Sequence, residues 1–220
     1  LSSATAPFTL AGDPSASGFQ VKNLSLSAEL ENRLLDRKRL LNSLDQLRRE
    51  IDQSGTIGAM DELNQNAMNL LTSGAIRQAF DLSGESEQTK ERYGQHAWGY
   101  RALMARRLVE AGCPFVTVVL ENPYVSGVPY FKEGTYNWDS HAVNCDLWKD
   151  AIPRFPIYDK AVTALIEDLH ARSLTKKVLL VVTGEFGRSP KISRADGGSK
   201  GLRFGREHWP QAMSVLVCGG

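Results

Sequence analysis

Three short apolar runs most restrict what this chain can fold into. They are Phe115-Val116-Thr117-Val118-Val119-Leu120, Val178-Leu179-Leu180-Val181-Val182-Thr183, and the stretch 212–218, which ends Val215-Leu216-Val217-Cys218. Runs that are apolar at nearly every position, rather than at every second one, fit strands buried on both faces. Between the first two runs, Ile157, Ala161, Leu165 and Leu169 recur at helical spacing and predict a helix over 155–173. Strand, helix, strand, loop, strand is the rhythm of an α/β sheet with mostly parallel strands. In such sheets, sites form beyond the carboxyl ends of the strands. That directs attention to 121–141, 184–190 and the loop before Ala212.

The first 112 residues read differently. Residues 1–27 are rich in Ser, Ala, Gly and Pro and form an extended opening with a turn at Gly12-Asp13-Pro14-Ser15. Leu40, Leu44, Leu47 and Ile51 mark one face of an amphipathic helix within 30–52, with arginines and lysines on the other face. Shorter helices are predicted at 60–71, 75–82 and 96–112, the last stopped by Gly112, while 83–94 reads as a loop or frayed turn. The organisation is thus a mostly helical portion, 1–112, followed by an α/β portion, 113–220.

Composition removes several function classes. With 26 Lys+Arg against 25 Asp+Glu, the net charge of +1 gives no electrostatic case for nucleic-acid binding. No apolar run reaches the roughly 18 residues of a membrane span. Cys113, Cys145 and Cys218 form no CxxC pair, so neither a disulfide framework nor a thiolate zinc site is expected. The chain opens Leu1-Ser2-Ser3 and stops at Gly219-Gly220 just after an apolar run, which reads as an internal piece of a longer protein.

Residues able to carry chemistry gather in three clusters. In Asn137-Trp138-Asp139-Ser140-His141, Asp139 and His141 are two apart and would share one side of an extended stretch, where both can grip a cation. Equally, Asp139 or Ser140 can cap a helix through 143–150. In Thr183-Gly184-Glu185-Phe186-Gly187-Arg188-Ser189-Pro190, Glu185 follows a strand directly and can bind metal or act as a base. Arg188 offers a planar fork of donors for an oxyanion, unless the two form a turn salt bridge. In Gly205-Arg206-Glu207-His208-Trp209-Pro210, His208 is a candidate ligand and Arg206 a second anion-binding candidate; a surface histidine in a long loop is the plainer reading. His96, His170, Asp159 and Asp168 read as structural or surface groups on helices. Ser140 and Ser189 lie outside any G-x-S-x-G nucleophile elbow. Together the clusters supply the carboxylates, imidazoles and guanidiniums of a metal-assisted site for an anionic ester.

These three motifs, with the opening Ala6-Pro7-Phe8-Thr9-Leu10-Ala11-Gly12-Asp13-Pro14 and the stretch Arg92-Tyr93-Gly94-Gln95-His96-Ala97-Trp98-Gly99, resemble the bacterial family DUF1501 along nearly the whole chain. The resemblance implies a sulfatase-like member of the alkaline phosphatase superfamily: a partial α/β/α sandwich with a metal site at the carboxyl edge of its sheet. It implies that Asp139, His141, Glu185 and His208 hold divalent metal (Zn, Mn or Ca) and that Arg188 and Arg206 hold the anion. The substrate would be a sulfate or phosphate ester, small molecule or polysaccharide, and the family's frequent export signal suggests a periplasmic location. Three departures stand out. Phe186 occupies a position where sulfatases carry a ligating histidine, Glu207 replaces an Asp, and the segment 124–136 before the first motif is longer than usual. The superfamily's nucleophile, borne on its first strand, has no counterpart in this chain. A retained fold with a degenerate, partner-binding site, or a metal site that serves structure alone, are the rival expectations.

Overall fold

The computed structural model describes residues 8–19, 21, 36, 74–121, 138–143 and 145–220. The helices expected over 30–52 (save Asp36) and 60–71, and the long segment 124–136, lie outside the described residues. The architecture is mixed α/β, with helices and small antiparallel sheets.

The helical part begins with α1 (Gly74–Phe80) and α2 (Glu87–Tyr93). The stretch expected to be a loop thus contains a helix. Its polar sequence hides a good start signal: Ser86 accepts the Thr89 N–H at 3.1 Å, and Lys90 pairs with Glu87 at 2.7 Å. Helix α2 ends at Gly94, whose φ of 93° suits a residue without Cβ. Then α3 (Ala97–Glu110) starts from His96, whose Nδ1 accepts the Gly99 N–H at 3.1 Å, and stops before Gly112 at φ 92°. The corner between α2 and α3 is tight. A Cβ on Gly99 would lie 2.1 Å from the Gly94 carbonyl oxygen. The stretch Arg92–Gly99 is therefore accounted for as a helix corner.

Helix α4 (Leu147–Ala171) starts at Leu147, well before residue 155. Pro153 and Pro156 argue against helix there. Asp146 nevertheless caps the helix, accepting the Trp148 and Lys149 N–H groups at 3.1 Å each, and Asp150 pairs with Arg154 one turn on at 2.7 Å. Asp146, rather than Asp139 or Ser140, is the cap. Helices α2, α3 and α4 share one core of Tyr93, Trp98, Leu103, Ala161, Leu165 and Leu169. Asp168, expected on the helix surface, is 3% exposed inside this core. It accepts the Tyr93 hydroxyl proton at 2.9 Å and pairs with Arg92, Arg106 and Arg172. A buried carboxylate needs such partners. The opening segment lies against α1 and α3: the Phe8 and Phe80 rings are 6.0 Å apart, and Arg101 donates to the Gly12 carbonyl at 3.0 Å.

The strands correct the expected topology. β1 (Leu179–Thr183) pairs antiparallel with β4 (Val215–Gly219), in register Leu179↔Gly219 and Val181↔Val217. β2 (Gly187–Asp196) pairs antiparallel with β3 (Leu202–Trp209), so the region taken as loop forms a hairpin between β1 and β4. A helical crossover is what makes neighbouring strands parallel; here a hairpin occupies that place, and β4 returns alongside β1 in the opposite sense. Nor are these strands buried on both faces. Leu179, Val181, Val215 and Val217 are 48–58% exposed. Residues 115–120, expected as a buried strand, form neither helix nor strand among the described residues; their exposure alternates, and Leu120 packs on the core.

Candidate metal centre

Residue 138 is where the core meets the candidate site. The Trp138 ring stacks on Trp98 at 5.5 Å and 24°, meets Tyr158 edge-on at 5.7 Å, and lies 4.8 Å beneath the Arg154 guanidinium. Its indole N–H donates to the Leu120 carbonyl. This fixes the chain entering Asp139.

The next residues are held from below by the start of α4. The Ser140 hydroxyl donates to Asp150 at 3.0 Å, and Asp150 is 3% exposed. Asp146, besides capping α4, accepts the Phe204 N–H of β3 at 3.1 Å. Strand β3 lies directly on this segment. The Arg206 N–H donates to the Ser140 carbonyl at 3.2 Å, and a Cβ on Gly205 would stand 2.1 Å from the Ala142 nitrogen. Only glycine permits that approach.

The result is a convergence on one oxygen. Asp139 Oδ1 accepts from His141 Nδ1 at 2.8 Å, from His208 Nε2 at 2.7 Å and from Arg188 Nη2 at 3.0 Å. The two imidazole rings stand nearly perpendicular, 5.5 Å apart. Phe186 packs its ring on His208 at 4.9 Å. Desolvation pushes the Asp139 carboxyl upward, but hydrogen bonds from His208, His141 and Arg188 outweigh it and hold the group well below the usual carboxylate range. Asp139 is therefore a carboxylate at neutral pH.

One ligand atom each from Asp139, His141 and His208 lies within 4.8 Å of the others. The nitrogens that donate protons to Asp139 are the same atoms that, deprotonated, would offer lone pairs to a cation. One carboxylate and two imidazoles suit zinc or manganese better than calcium, which prefers an all-oxygen shell. Carboxylate and histidines face outward enough for access, with side-chain exposures of 30% for Asp139, 22% for His141 and 50% for His208.

Glu185 lies in the exposed bend between β1 and β2 and does not join this group of three. Arg188 is partly buried and also donates to the carbonyls of Trp138 at 2.9 Å and Arg206 at 3.1 Å. Arg206 gives its Nε–H to the Ser189 carbonyl. The sequence reading missed Asp146, Asp150, Arg154 and Gly205. A signal was present for two of them: 150 and 154 continue the helical stripe of 157, 161 and 165, and charges on an apolar stripe need buried partners.

Among the described residues, no helix is long and apolar enough to cross a membrane. No curated protein and no solved structure matches the chain. The family model described as a protein of unknown function, DUF1501, matches residues 1–220, and the chain belongs to that family.

Proposed function

We propose that this chain carries the metal-binding part of a sulfatase-like hydrolase of sulfate or phosphate esters, with Asp139, His141 and His208 as the ligands. The observation that carries this reading is the approach of three ligand atoms to within 4.8 Å of one another, from two segments far apart in sequence. Side chains meet in this way only if the fold brings both segments together. When bound, a divalent cation supplies Lewis acidity toward an ester oxygen. The chain's own residues do the rest. Asp139 contributes the negative charge that favours a cation, and the two imidazoles complete a donor set with room for a further ligand. Arg206 lies two residues from His208 on β3, so both side chains share a face of that strand. Among the described residues its terminal Nη groups have no hydrogen-bond partner, which suits it to the anionic group of the substrate. The wider α/β/α sandwich of the sulfatases belongs to this same proposal.

A second reading has its own observation. Phe186 fills the space beside His208 with an aromatic ring, which supports a site that has lost a ligand and binds without turnover. Hydrolysis of 4-nitrophenyl sulfate and 4-nitrophenyl phosphate by the Zn2+- or Mn2+-loaded full-length protein separates the two. Turnover of either ester, abolished in His208→Ala, is the expected result. Metal uptake without turnover of any ester would favour the second reading.

A further inference from the structure

Two arginines flank the candidate centre, and their surroundings differ. Arg188 sits on β2 directly opposite His208 in the β2–β3 register, and the ladder becomes irregular just after it, between Arg188 and Ile192. Such an irregularity re-aims a side chain. The Arg188 guanidinium is directed at three acceptors of the protein itself. Nη2 donates both to the Trp138 carbonyl at 2.9 Å and to Asp139 Oδ1 at 3.0 Å, which uses both of its protons. Nη1 donates to the Arg206 carbonyl at 3.1 Å. The acceptors belong to two pieces of chain: Trp138 and Asp139 lie in the segment that bears His141, while Arg206 lies in the strand that bears His208. Among the described residues, these segments are also joined by the His208–Asp139 bond, by the Arg206 N–H to Ser140 carbonyl bond and by the close contact at Gly205.

We infer that Arg188 is a positioning residue of this site, a clamp that ties the Asp139 carboxylate and the Trp138 and Arg206 carbonyls into one unit so that Asp139, His141 and His208 converge. This rests on the metal reading above and refines it, because Arg188 then leaves the anion to Arg206. A planar fork can place donors at two separated nitrogens, as Nη1 and Nη2 do here; an ammonium carries its three donors on one nitrogen and cannot. Arg188→Lys keeps the charge and removes the clamp.

The test reads Arg188→Lys two ways, with Arg194→Ala as the control for Zn2+ affinity. In metal-free protein, amide hydrogen exchange followed by mass spectrometry should rise about tenfold or more in peptides covering 138–143 and 204–209 of Arg188→Lys, a change of about 1.4 kcal/mol in local opening. Peptides from α3 and α4 should exchange as in the unaltered protein. By titration calorimetry with Zn2+ alone, Arg188→Lys should weaken affinity roughly 10- to 100-fold, the range usual for groups that orient metal ligands. Arg194→Ala, an exposed change on the same strand as Arg188, should stay within about threefold of the unaltered protein. Unchanged exchange in both peptides, or unchanged Zn2+ affinity, for Arg188→Lys overturns the inference. Faster exchange in α3 and α4 as well would make Arg188 a general stabiliser and overturn it too. If the unaltered protein takes up no Zn2+, the metal reading fails, and the clamp stands or falls on the exchange result.

Discussion

Where α2, α3 and α4 meet, Tyr93, Trp98, Leu103 and Leu169 are at most 2% exposed, whereas along β2 and β3 the buried position is Gly205, a residue with no side chain. The two regions are held together by different physics. The helical core rests on apolar burial, reinforced by the buried Asp168–Arg106 network. The candidate site rests on hydrogen bonds between segments: Ser140 to Asp150, Phe204 to Asp146, and Arg188 to three acceptors. Individual bonds of that kind, with one charged partner, contribute about 1.5–3 kcal/mol each, against about 3–5 kcal/mol for emptying a large aromatic core position. The lesson is that the site can lose its geometry while the core stays folded.

The sharpest way to break this separation is through Trp98, because it belongs to both regions, lying in the core and stacking on Trp138. Trp98→Ala should cost about 3–5 kcal/mol of stability in denaturant unfolding, and should also weaken Zn2+ uptake. Loss of stability with unaltered uptake would show that the stack does not support the site. Next comes Gly205→Ala. Its new methyl would collide with the backbone at Ala142, at a cost of about 1–3 kcal/mol. Zn2+ uptake should fall sharply while the near-ultraviolet circular dichroism of the Trp98 core persists. If core and site fail together, the regions are not separable. A smaller change is Ser140→Ala, which removes one bond to buried Asp150. It should cost about 1.5 kcal/mol, the low end for a bond to a charged group, with a loss of Zn2+ affinity near tenfold; a drop in melting temperature alone would place Ser140 in the core rather than the site.

The smallest effect is a pH dependence confined to the helical region. Burial, with the Lys160 charge nearby, lowers the His96 pKa against a weaker opposing pull from Asp13. The folded chain therefore prefers the neutral imidazole, whose Nδ1 lone pair caps α3 at Gly99. This contribution is fully present above the unfolded value of about 6.5 and is lost as pH falls through the lower folded value. Unfolding free energy should decline as pH falls from about 6.5 toward the lower folded value and level off below it, and the decline should shrink in His96→Asn, which can still cap. An identical slope in the variant would remove His96 as its source.

The convergence of Asp139, His141 and His208 was partly legible in the sequence because these residues fall in short, chemically distinctive motifs: Asp139 with His141, and His208 beside Trp209-Pro210. Helices α3 and α4 were legible from their apolar spacing, though Pro153 and Pro156 masked the true start of α4. What could not be read was pairing. The runs at 178–183 and 215–218 look the same whether their partner is parallel or antiparallel, since the hydrophobic pattern records burial and not direction. The occupation of Arg188 was equally hidden, because its acceptors include two main-chain carbonyls, which every residue possesses. Asp168 was misread for a related reason: its partners Tyr93 and Arg106 lie on other helices, and sequence spacing reports neighbours only along one helix.

The central claim is that Asp139, His141 and His208 form a cation site. Its most direct test is elemental mass spectrometry of the purified protein after exposure to Zn2+ and desalting, alongside His208→Ala. The account predicts stoichiometric zinc in the unaltered protein and its loss in the variant, with both showing the same helical circular dichroism. Zinc absent from both, or retained equally by both, would contradict it.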